Sequence, residues 1–218
     1  MFKKKKIAMS LCVGIENIDW SLTKDVVTML GTAAAVSIGF MGLSTWKRQQ
    51  RGTSEFDLAR NAIKKAYEVQ QAIQGVRNPM IHLNAEEVEN GNRLEEEQRI
   101  YQERLNRLEP LRAELQTFAI ESKVLWGSEA IGCFEKLNKV YAELNAGIWM
   151  HFWLKGAYAG PGATVDGNPD RVIENDKIVY FIDENDEFTV KIREAISEIE
   201  NYYVPKIRGK RLFFGKKT

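Results

Sequence analysis

VVTMLGTAAAVSIGFMGLSTW, residues 26–46, decides how the rest of this chain is read: it holds no charged residue, and Lys47, Arg48 and Arg51 follow it at once. At about 1.5 Å of rise per residue, a helix of this length measures roughly 30 Å, the thickness of a bilayer's hydrocarbon core. Gly31, Thr32, Ser37, Gly39, Gly42, Ser44 and Thr45 interrupt the apolar residues, so a buried helix of a soluble protein is the alternative. The long uncharged run, Trp46 at its end where an interfacial aromatic belongs, and the basic cluster without a spacer point to one membrane span. The expected organisation is an extramembrane segment over 1–24, a transmembrane helix over 25–46, a cytoplasmic helical bundle over 47–208 and a basic tail over 209–218.

Orientation follows from charge. Lys47, Arg48 and Arg51 belong on the cytoplasmic side, whereas Glu16, Asp19, Lys24 and Asp25 leave the other flank close to neutral. This places the N-terminus outside and the C-terminal domain in the cytoplasm of a bacterial inner-membrane protein. Lys3 to Lys6 argue the other way but lie far from the span, and a start at Met9 would remove them. Ile7 to Ile15 is too short and too interrupted for a signal-peptide core. Met9-Ser10-Leu11 before Cys12 makes a poor lipoprotein box.

Roughly 170 residues beyond the span suffice for one domain with its own core. With 31 basic and 30 acidic residues the net charge is +1, which gives no reason to expect nucleic acid as a partner. The two cysteines, Cys12 and Cys133, fall on opposite sides of the membrane in this topology, so no disulfide framework is expected.

Helical periodicity dominates after Arg51. Phe56, Ala59, Ile63, Ala66, Tyr67, Gln70, Ile73 and Val76 mark a helix over Ser54–Val76, ended by Gly75 and the Asn78-Pro79 pair. It either continues the membrane helix or bends at Gly52. An acidic loop leads to a second helix, Arg93 to Trp126, which Pro110 should kink. Its early charges, Glu95, Glu96, Glu97, Arg99, Glu103 and Arg104, read as a solvated face. A third helix runs from Glu129 to about Tyr158, its aromatic end making Trp149 and Trp153 candidates for partner contact. Gly160 to Glu187 reads as turns (GPGATVDGNPD) and a short extended run (KIVYFID), and a last helix spans about Phe188 to Ile207. The fold class is therefore all-α: one transmembrane helix, then an antiparallel four-helix-type bundle with a long irregular loop before its last helix.

Tyr67, Ile73, Arg77 and Pro79 at the end of the first bundle helix, with Asn106, Arg107, Leu108, Leu111 and Arg112 in the second, carry a resemblance. Over most of Trp46 to Arg208 the chain resembles a group of uncharacterised bacterial proteins with one N-terminal membrane span and a cytoplasmic helical bundle. The resemblance implies that architecture and carries no activity with it.

One catalytic pattern is present. Arg77-Asn78-Pro79-Met80-Ile81-His82 is similar to the R-N-x-x-x-H signature of HEPN ribonucleases, whose Arg and His act on the scissile phosphate. Gly75 and Pro79, however, make this a helix exit, where Arg77 and Asn78 serve as end caps and His82 as a loop residue. That reading is preferred, with a membrane-tethered nuclease using Arg77 and His82 as the alternative. His82 and His151 are the only histidines, no metal-ligand spacing occurs, and no cofactor motif is found.

Two features point to association. Gly31, Ala35 and Gly39 form a ladder of small residues on one face of the span, which lets two membrane helices approach closely. Lys210, Arg211, Phe213 and Phe214 in the tail, together with Trp46, Lys47, Arg48 and Arg51, suit a lipid interface. The function expected from sequence is a non-catalytic membrane-anchored interaction or assembly module, with membrane lipid and either a second copy or another protein as partners. An oligomerising membrane effector of the phage-defence type is the further alternative.

Overall fold

The computed structural model describes residues 20–160 and 168–208. Among them the chain is all-α, with a long N-terminal helix followed by a compact helical bundle. The helices are α1 (Trp20–Val76), α2 (Ala85–Glu89), α3 (Arg93–Trp126), α4 (Glu129–Gly132), α5 (Glu135–Leu154), α6 (Pro169–Val179) and α7 (Glu187–Arg208). The chain divides at Gly52 into two units, 1–51 and 52–218. In α1, the expected span and the expected first bundle helix are one helix without a break at Gly52.

In the second unit α1, α3, α5 and α7 bury their faces in a single core. The α1 contribution is a narrow seam, Ala59, Ala62, Ala66, Val69, Ile73 and Val76, at alternating spacings of three and four. Phe56 and Tyr67, expected on this stripe, are exposed, and Ala62 and Val69 take the inward positions. Three alanines make up half of this seam, and Val69, Ile73 and Val76 the other half.

Local chemistry fixes the ends. Gly156, at φ 83°, closes α5 four residues earlier than expected, its N–H bonding Trp153 O and that of Ala157 bonding Phe152 O. This is the paired-bond arrangement that favours glycine just past a helix. The expected third helix is divided, because the chain turns at Cys133 and Phe134, both buried, between α4 and α5.

The segment before the last helix is not irregular throughout. Asn168 accepts the Asp170 N–H through its side chain and Pro169 opens α6, so residues 177–179, expected to be extended, are helical. Asn-Pro-Asp is a helix start as well as a turn, since a cap residue followed by Pro at the first position leaves no N–H wasted. α6 packs closely on α5: Asn175 Nδ2 donates to Gly147 O at 3.0 Å. A Cβ on Gly147 would meet Ile178 Cγ2 at 2.8 Å.

Candidate functional site

The apolar part of α1 is exposed along its whole length. Its most apolar stretch has a mean hydropathy of 1.8, and none of it is buried by the chain. A Cβ on Gly31 or Gly39 would meet nothing within 4 Å beyond the backbone of its own helix, so the small-residue face is open. Thr28, Thr32 and Ser37 hydroxyls each donate to the carbonyl four residues back, and Ser44 to Met41 O. The helix therefore satisfies these polar groups internally. Trp46, Lys47, Arg48 and Arg51 are exposed, while Lys210, Arg211, Phe213 and Phe214 lie outside the described residues.

Arg77 and His82 have different environments. Arg77 is fully buried and sits where α1 ends, α6 ends and α7 begins. Its Nε donates to Ile178 O at 2.8 Å, and Nη2 to Tyr180 O at 2.8 Å and Lys177 O at 3.0 Å, capping the C-terminal end of α6. Nη1 donates to Thr189 Oγ1 at 2.8 Å, and Nη2 reaches Asp186 Oδ1 at 3.1 Å. Asp186 is in turn the cap of α7, accepting the Thr189 N–H at 2.7 Å and the Thr189 hydroxyl at 2.8 Å. A cation thus meets the carbonyl end of one helix and an anion the amide end of the next, the favourable sense of both helix dipoles. The Phe188 ring lies 4.7 Å below the guanidinium carbon. Burial pulls the Arg77 pKa below its ordinary value against the opposing pull of Asp186. Burial works to raise that of Asp186, yet the Thr189 bonds and Arg77 outweigh it and hold the carboxyl low. Instead of an exposed end cap for its own helix, Arg77 is an internal clamp for α6 and α7. His82 is exposed.

A second buried polar group was hidden in the sequence by its charge. Glu96 and Glu97, expected on a solvated face, are buried. Glu97 accepts from Lys155 Nζ at 2.6 and 2.8 Å and contacts His151 Nε2 at 3.0 Å, while His151 Nδ1 lies 3.7 Å from Asp176 and Tyr180 Oη 3.4 Å from Nε2. The His151 bond, with Lys155 adding to it against the effect of burial, holds the Glu97 pKa down at about 2. The signal for this cluster was His151 and Lys155 four residues apart near an otherwise apolar helix end. Its geometry ties α3, α5 and α6 together. Trp149, the exposed candidate at that end, stacks on Tyr158 with centroids 6.0 Å apart and planes 13° from parallel.

Among the described residues no group of His, Cys, Asp and Glu is arranged to hold a metal ion. Compared with protein-family models, curated proteins and solved structures, the chain matches none.

Proposed function

We propose that this protein is a single-pass, membrane-anchored helical module whose span is 25–46 and whose antiparallel four-helix-type bundle works in the bacterial cytoplasm as a docking or assembly domain without catalysis. The observation that carries this reading is the bare apolar stretch of α1, of which the chain buries nothing. So long an apolar surface left to water is costly, and a bilayer covers it at little loss of hydrogen bonding, because the Thr28, Thr32, Ser37 and Ser44 hydroxyls within it are bonded to their own helix. The basic flank orients the N-terminus outward and the bundle inward. The open face at Gly31, Ala35 and Gly39 suits pairing with a second copy. The nuclease alternative is not favoured, since the Arg77 guanidinium is committed to α6 and α7.

Alkaline carbonate extraction of cell membranes tests the anchor. The full-length protein stays in the membrane pellet, and a Val36→Arg/Phe40→Arg variant is released, each arginine at mid-span costing about 3 kcal/mol on insertion scales. Release of the unaltered protein overturns the reading.

A further inference from the structure

His82 lines a groove of about 480 Å³ between the end of α1 and α3, with Gly75, Val76, Met80, Arg104 and Arg107 around it and no carboxylate among the residues that form it. Arg104 shapes this groove. Its Nη1 donates to Val76 O at 3.1 Å and Asn78 O at 2.6 Å, and its Nη2 to Met80 O at 2.6 Å. These bonds hold the loop that carries His82 and occupy carbonyls that would repel an anion. They use three N–H groups of a guanidinium that has five, leaving two uncommitted. Arg107 and His82 are exposed, with no hydrogen bond or ion pair among the described residues.

Elsewhere in the bundle several basic side chains are matched to acids: Lys65 to Glu68 and Glu114, Arg99 to Glu96 and Glu103, Lys136 to Glu198, Lys191 to Glu143. In the groove, two guanidinium groups and an imidazole face one space with no counter-charge. Planar guanidinium forks match the oxygens of a phosphate, and an imidazole N–H adds a third donor direction. The volume falls within the range of about 300–1,000 Å³ usual for small-molecule sites, so it has room for a phosphate with part of what carries it, with exposed Met80 as the apolar contact for the carrier.

We propose that this groove binds the phosphate group of a small phosphate monoester, held by Arg104, Arg107 and His82. The site stands independently of the membrane reading, and it differs from the sequence motif in using Arg107 and Arg104 where the motif names Arg77.

The test is calorimetric titration of purified full-length protein in neutral detergent with inorganic phosphate, AMP and a water-soluble short-chain phosphatidic acid. Saturable binding of inorganic phosphate is expected with a Kd of about 1 mM or tighter. Arg107→Gln and His82→Gln each weaken it about tenfold or more, and Lys139→Gln, a distant exposed lysine, leaves it unchanged. Near-ultraviolet circular dichroism confirms that the variants are folded. Tighter binding of AMP supports the site with a soluble ester as ligand, and tighter binding of phosphatidic acid supports it with a lipid headgroup. No saturable binding of any probe, binding that survives both groove substitutions, or equal loss with Lys139→Gln overturns the proposal.

Discussion

Replacing Arg77 with Ala removes five donor contacts at once and leaves Asp186, whose side chain is 6% exposed, without its cation. Taking one partner from a buried ion pair costs about 3–5 kcal/mol, chiefly because the remaining charge stays desolvated. The carbonyls of Lys177, Ile178 and Tyr180 lose their cap in the same step, so the upper end of that range is expected. Against a total stability of roughly 5–15 kcal/mol this is a large fraction. At about 2–4 °C per kcal/mol for a domain of this size, Arg77→Ala should lower the melting temperature by about 10 °C or more. Thermal unfolding of the full-length protein followed by near-ultraviolet circular dichroism reads the packed aromatics of the bundle. Arg77→Lys keeps the charge but not the fork, so it falls between the two. The Arg77→Ala/Asp186→Ala double variant loses less than the sum of the singles, because the second change removes the orphaned charge. A melting temperature for Arg77→Ala within about 2 °C of the parent, or strict additivity in the cycle, would refute the clamp.

The remaining predictions probe separate contacts. Glu97, at about 2 against an ordinary 4.5, has a lowered folded-state pKa, so its contribution is complete above pH 4.5 and is lost as the pH falls towards 2. The gap corresponds to about 3 kcal/mol, so Glu97→Gln should be less stable than the parent at neutral pH. That difference, read from urea midpoints, must shrink between about pH 6 and pH 3; a constant difference would sink the assignment. Gly147→Ala should destabilise by about 1–3 kcal/mol, since its methyl meets branched Ile178, which has little freedom to yield; an unchanged urea midpoint would count against close α5–α6 packing. Cys133 is buried and burial pushes its thiol up to about 12, so peptide mapping after maleimide treatment should find it unmodified in the folded protein and modified in urea. Rapid labelling under native conditions would contradict that burial.

What the sequence by itself determined was whatever local periodicity encodes. The bounds of α3, Arg93–Trp126, follow from its repeating apolar positions, and those of α7 differ by one residue at each end from the reading of Ile192, Ile196, Ile199 and Tyr203. The uncharged run 26–46 was equally plain, because length and absence of charge are properties of the chain alone. Tertiary structure decided the rest. Whether an alanine or a phenylalanine of α1 faces inward depends on how closely another helix approaches, and hydrophobicity alone favours the wrong one, as Phe56 and Ala62 illustrate. Glu97 reads as solvent-facing until His151 and Lys155, more than fifty residues away, are brought to its oxygens. Arg77 is the sharpest case. In sequence it is an arginine at a helix exit beside an asparagine and a proline. Its hydrogen-bond partners lie a hundred residues on, at the end of one helix and the start of another, and folding alone brings them within reach. A buried charge is tolerated only where its hydrogen bonds are supplied, and that supply comes from distant segments, which local pattern does not record.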